Sequence, residues 1–179
     1  MLSDLQKRKH THQFHVMDED GNGHLEWGDY ERIASKIAGI RGYAAGSPEF
    51  AALVGQYRFA WDQSAPFQDE TGFSLDRWLE YQVALLNSPD VYDVIVRDTA
   101  EMIFDTFDLD GDKRVSPEEW RGFFRCYGID EKHTDTCFPK FDRNGDGYVT
   151  RDELIALVRE FFLSSDPDAP GNLLFGPLG

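Results

Sequence analysis

The sequence predicts an all-α fold of four helix–loop–helix units in two packed pairs, with a short two-stranded link between the loops of each pair. Three observations predict it. Acidic twelve-residue segments recur at 18–29 (DEDGNGHLEWGD), 108–119 (DLDGDKRVSPEE) and 142–153 (DRNGDGYVTRDE). Each follows two apolar residues three apart, Phe14 and Met17, Phe104 and Phe107, or Phe138 and Phe141, a spacing that puts both on one face of an incoming helix. Each segment also has an apolar eighth residue, Leu25, Val115 or Val149, suited to a short strand that pairs with the neighbouring loop.

The elements follow in order. The first unit leaves its loop through Ile33, Ile37 and Ile40, which repeat at helical spacing. Glycines from Gly39 to Gly46 read as the connection to the second unit. Ser47-Pro48-Glu49 and Ser88-Pro89-Asp90 each place a cap, a first-turn proline and an acid at a helix start. The second unit emerges when loop exits are aligned: FSLDRW at 73–78 matches VSPEEW at 115–120. Arg77 stands where Glu119 closes the third segment, and counting back twelve residues puts Pro66 first and Gln68 third. If the incoming helix ends at Trp61, this loop is longer than the others. Leu79, Val83 and Leu86 form the apolar stripe of its exit helix. Asn87 to Pro89 divides the chain into an N-terminal pair, residues 1–87, and a C-terminal pair, residues 88–163. Gly128 separates the third and fourth units, and Leu154, Ile155, Val158 and Phe162 mark the last helix. Pro139, in a last helical turn, predicts a kink. In the tail, 164–179, Leu173, Leu174 and Phe175 are expected to fold back onto the helical body.

Alternating carboxylates and amides in a twelve-residue loop are the donor pattern of a calcium site. Calcium is a hard cation that takes about 6–8 oxygens, supplied by positions 1, 3, 5, 7 (a backbone carbonyl), 9 and 12. The fourth unit offers Asp142, Asn144, Asp146, the carbonyl of Tyr148, Thr150 and Glu153, with Gly147 at the sixth position, where the backbone must turn. The first offers Asp18, Asp20, Asn22, the carbonyl of His24, Glu26 and Asp29. Its closing aspartate is one methylene shorter than glutamate, which favours Mg²⁺ relative to a standard loop unless Glu26 restores the missing oxygen. The third offers Asp108, Asp110, Asp112, the carbonyl of Arg114, Ser116 and Glu119, with Lys113 in place of glycine at a cost of about 1–2 kcal/mol. In the second unit a guanidinium replaces the closing acid and a proline the first ligand, so that unit is silent. The expectation is three calcium sites, with Mg²⁺ possible above all at the first.

Composition excludes several classes. With 33 acidic against 18 basic residues the net charge is −15, which repels nucleic acid and anionic membranes and suits a cation binder. No apolar run spans a bilayer, and the polar N-terminus lacks a secretory core, so a cytoplasmic protein is expected. Cys126 and Cys137 fit neither a disulfide framework nor a metal clip and read as buried or half-buried, reduced thiols. His10, His12 and His15 read as a solvated helix face, and the four tryptophans as core or rim. No nucleophile elbow, phosphate-cradling glycine loop or zinc motif is present, so no enzyme activity is expected.

These loops resemble EF-hand calcium loops. Four units in about 180 residues, a silent second unit and an aspartate closing the first loop make the chain similar to the sarcoplasmic calcium-binding protein family, most closely to its bacterial, calerythrin-like branch. That resemblance implies two EF-hand pairs packed face to face around an aromatic core, in a cytosolic, monomeric calcium buffer or transporter. Lys113 and Pro139 depart from the family pattern. The alternative is a calcium sensor that exposes an apolar groove to a target protein. Such grooves favour methionine, whereas this chain has 3 Met against 14 Phe. The chain also resembles coelenterazine-binding photoproteins in its silent second unit and in Trp78 and Trp120 after loop closure. Those proteins need a late histidine and a tail tyrosine, and residues 149–179 contain neither.

Overall fold

The computed structural model describes residues 1–178, and the backbone alone at 89–92. Among them run eight α-helices: α1 (Asp4–Met17), α2 (Trp27–Arg41), α3 (Pro48–Gln63), α4 (Leu75–Leu86), α5 (Pro89–Phe107), α6 (Pro117–Cys126), α7 (Thr134–Phe141) and α8 (Arg151–Leu163). The fold is the all-α arrangement of four EF-hands. Strands β1 (His24–Leu25) and β2 (Phe73–Ser74) pair antiparallel with Leu25 opposite Phe73. Val115 and Val149 exchange both backbone hydrogen bonds, at 2.9 and 2.8 Å. Each loop is thus joined to its partner at the eighth residue, including the loop of the silent hand.

Helix α2 packs along α3 and α5 along α8, while α1 lies across α4 and α8, and α2 touches α6. The shared core is aromatic: Phe14, Phe73, Phe104, Phe107, Trp120, Phe123, Phe124, Phe141 and Phe161 are fully buried. Trp61, Trp78 and Trp120 are buried, while Trp27 is half-buried beneath the Arg58 guanidinium. Cys126 and Cys137 are buried free thiols, and burial pushes the Cys126 thiol up to about 12.

Helix α1 departs most from its sequence reading. Its buried face is polar: Gln6, Lys9, His10 and Gln13 beside Phe14 and Met17. The last carbonyls of α8 have no helical partners of their own, and α1 supplies them. Gln6 Nε2 donates to the Leu163 carbonyl at 2.7 Å, and Lys9 Nζ to the carbonyls of Glu160 and Ser164, both at 2.8 Å. A cation at a helix C-terminus also opposes the negative end of its dipole. His10 is buried against Phe161 and Phe162, and His12 Nε2 donates to the Phe175 carbonyl at 2.8 Å. Of the three histidines read as a solvated face, only His15 is exposed. Polarity pointed to solvent, but what α1 covers is a helix end, which requires donors.

Two further expectations are corrected. Gly39 lies inside α2, whose left-handed cap is Gly42; burial of Ile37 and Ala38 outweighs the roughly 1 kcal/mol penalty of a helical glycine. On α4 the buried side chains are Trp78 and Gln82, while Leu79, Val83 and Leu86 are half-buried. Trp78 sets that rotation, because its Nε1 donates to the buried His10 carbonyl at 3.0 Å. Pro139 lies in the last turn of α7, where the sequence places it.

Burial holds the His10 imidazole at about 4, against an ordinary 6.5. The unfolded chain therefore takes up this proton first, so His10's contribution is fully present above pH 6.5 and lost as pH falls through 4. Urea unfolding in chelator across this window should show a loss of roughly 3 kcal/mol that His10→Gln removes. Parallel pH profiles for the two proteins would contradict this.

Candidate metal centres

Each candidate loop is shaped by its own acids before any cation is considered. In the first, Asp18 accepts from the amides of Asn22 (3.1 Å) and Gly23 (2.9 Å), and Asn22 Oδ1 accepts from His24 (2.7 Å). In the third, Asp108 accepts from Gly111 (2.9 Å) and Lys113 (3.1 Å), Asp110 from Asp112 (3.0 Å), and Asp112 from Arg114 (2.9 Å). In the fourth, Asp142 accepts from Gly145 and Gly147, both at 2.7 Å, Asn144 from Asp146 (2.8 Å), and Asp146 from Tyr148 (3.0 Å). These bonds draw the loop amides around the acids, and both oxygens of Asp18, Asp108 and Asp142 accept. Carboxylate oxygens of Asp18, Asp20 and Asp29 lie within 4.8 Å of one another, as do those of Asp108, Asp110 and Asp112. All-oxygen, anionic donor sets at this separation fit a hard divalent cation.

The sixth position needs a left-handed backbone. Gly23 (φ +83°) and Gly147 (φ +88°) adopt it freely. Lys113 adopts it too, at φ +67°, the one non-glycine residue with positive φ among those described. Next to it, the Arg114 guanidinium stacks 4.0 Å over the Tyr148 ring and pairs with Asp112 at 3.0 Å, so the seventh residues of the third and fourth loops touch.

The closing acids behave differently. Glu119 stands outside the Asp108 group: one oxygen accepts from the Leu109 amide (2.7 Å), the other from the Ser116 amide and hydroxyl, both at 2.8 Å. Glu153 accepts from the amides of Arg143 and Asn144 and from both donors of Thr150. Partial burial raises the Glu153 carboxyl, but the Thr150, Arg143 and Asn144 donors outweigh it and leave the group below its ordinary value. Asp29 is drawn into its loop and is 1% exposed. One oxygen accepts from the Glu26 amide at 2.8 Å, and the other meets the Arg32 guanidinium. Sequence reasoning missed Arg32, although its place one turn beyond Asp29 was a usable signal.

The second loop is folded on itself. Gln68 turns back to the Trp61 carbonyl and the Ser64 hydroxyl, both at 2.9 Å, Asp69 accepts from Thr71 and Gly72, and Arg77 pairs with Glu80 at 2.8 Å. Donation from the Thr71 amide leads in holding the Asp69 carboxyl below its ordinary value. The incoming helix ends at Gln63, and a short 3₁₀ turn, Ala65–Phe67, follows it.

Comparison with known proteins agrees with this geometry. The EF-hand domain pair family matches residues 97–165. Calerythrin of Saccharopolyspora erythraea is 26% identical over 158 residues, 83% of this chain and 87% of its own. The chain carries an EF-hand domain pair and is similar to calerythrin over most of its length. It is therefore a calcium-binding protein. The luciferin-binding protein of Renilla reniformis is also 26% identical, over 96% of this chain and 93% of its own. The sarcoplasmic calcium-binding protein from amphioxus shares the fold, with a TM-score of 0.74 at 16% identity over 99% of each chain.

Because Lys113 carries a Cβ in left-handed backbone, Lys113→Gly should stabilise the calcium-loaded protein by about 1 kcal/mol, net of the entropy glycine adds to the unfolded chain. Thermal unfolding in excess calcium measures this, and an unchanged or lower midpoint would contradict it.

Proposed function

We propose that this chain is a cytoplasmic, monomeric calcium buffer or transporter with three cation sites and no catalytic activity. The first site would be held by Asp18, Asp20, Asn22, the His24 carbonyl and Asp29. The second would use Asp108, Asp110, Asp112, the Arg114 carbonyl and Glu119, and the third Asp142, Asn144, Asp146, the Tyr148 carbonyl and Glu153. Bound calcium would relieve repulsion among these acids and stabilise the fold by mass action, about 2.7 kcal/mol per site at a hundredfold excess over Kd. The shorter Asp29 leaves the first site open to Mg²⁺.

One observation favours a buffer over a sensor: the tail lies in the apolar face of the C-terminal hands. Leu174 and Phe175 are buried, and the Phe175 ring lies 5.1 Å from Phe161, 5.5 Å from Tyr127 and 5.9 Å from Phe123, centroid to centroid. Gly171 lets the tail reach α8, since a Cβ there would come 2.3 Å from the Leu157 carbonyl oxygen. A sensor offers that face to a target. Of the methionines that make such faces adaptable, Met17 is buried and Met102 half-buried. No helix among the described residues is long and apolar enough to cross a membrane.

The name of the Renilla relative suggests a second reading, storage of an apolar ligand. It is favoured by Trp120 Nε1, a buried donor without a protein partner among the described residues. Quenching of tryptophan emission by an apolar heteroaromatic compound would support storage.

Calorimetric titration of the full chain with calcium tests the main reading. Three binding events are expected, competed by millimolar Mg²⁺ most strongly at the first loop, with one event lost in each of Asp18→Ala, Asp108→Ala and Glu153→Gln. Arg77→Glu should add none, because Pro66 and Gln68 still offer no acid. An apolar-surface dye should bind in chelator rather than in calcium, and binding in calcium alone would favour the sensor.

A further inference from the structure

Arg32 sits on α2 one turn beyond the residue that closes the first loop. Its guanidinium meets the Asp29 carboxylate and lies 3.7 Å from both Asp20 and Glu19. One turn further on, Lys36 pairs with Glu19 at 2.7 Å. The exit helix therefore carries a cationic ridge that leans over its own loop.

The other hands show what is particular here. At the third position after loop closure the third and fourth units have Gly122 and Ala156, which carry no charge. The silent hand has the same pair with its signs exchanged, Arg77 closing the loop and Glu80 three residues on, 2.8 Å apart. Glu119 and Glu153 accept from neutral amides and hydroxyls, whereas Asp29 divides its two oxygens between the Glu26 amide and a full positive charge. Asp29 is 1% exposed and the Arg32 side chain 43%. A buried carboxylate is thus neutralised from the solvent side by a group that can swing away.

We propose that Arg32 is a tethered counter-ion that competes with calcium for Asp29 and sets the affinity of the first loop. This rests on the reading that the first loop takes up a cation. Until a cation arrives, Arg32 spares the protein an unpaired buried carboxylate; when calcium enters, that pairing must be weakened or given up, so each calcium ion bound is opposed by a charge already in place. Arg32 acts through Asp29 and is a positioning residue, not a ligand.

The test is calorimetric titration of the full chain with calcium chloride, comparing wild type, Arg32→Gln and Arg32→Lys. The first-loop event is the one missing in Asp18→Ala. Arg32→Gln should tighten that event about tenfold and leave the other two within about twofold, while Arg32→Lys, which keeps the charge, should stay near wild type. In chelator, Arg32→Gln should also lower the thermal midpoint, because Asp29 loses its partner, an effect that separates competition from a general gain in stability. First-loop affinity that is unchanged or weaker in Arg32→Gln would overturn the proposal. If Asp18→Ala removes no event from the wild-type titration, the three-cation reading fails instead.

Discussion

Each loop is bonded through its eighth residue to the loop beside it, so neither loop of a pair can be moved or discarded alone. Leu25 meets Phe73, and Val115 meets Val149, in antiparallel contacts of one or two residues. Two residues of strand have little stability by themselves. They persist because all four side chains are fully buried in the aromatic core. This explains why the second hand, read as silent, retains its shape. Gly72, at φ +142°, lets the second loop pass so close to the first that a Cβ would stand 2.1 Å from the Leu25 carbonyl oxygen. The silent hand is kept by packing, and its partner loop depends on it.

Charge shapes the rest. A chain with a net charge of −15 has few cations to spare, and several are spent on helix ends and loop acids. Lys9 occupies the C-terminus of α8, and burial lowers its amine to about 8. Arg41 reaches from the end of α2 to the Asp108 carbonyl, 3.0 Å away, where the third loop begins. Arg151 joins the start of α8 to Glu101 and Asp105 on α5. These contacts run between the first hand and the last two, or across the last two.

Much of this was legible in the sequence because EF-hand loops encode their geometry locally. Alternate acids and amides accept amides two to five residues along, a glycine or a strained substitute turns the chain, and an apolar eighth residue enters the core. Left-handed backbone at Lys113 follows from its position in the loop. Arg77 and Pro66 mark the second hand as one without a closing acid or a first side-chain oxygen. What could not be read was tertiary. The face α4 buries is set by the bond from Trp78 to the His10 carbonyl, a contact 68 residues apart. The burial of α1's polar stripe depends on carbonyls at the far end of the chain. Arg32 was visible as a charge, but its target depends on the direction in which α2 leaves the loop.

The central claim is that this molecule takes up calcium without opening. Amide hydrogen exchange along the tail tests it most directly. The Gly171 amide donates to Glu160 at 2.9 Å, and the amides of Leu174 and Gly176 donate within the tail turn. Saturating calcium should leave the protection of these amides unchanged or raise it. Loss of protection on adding calcium would mean that the tail leaves its groove, and would contradict the account.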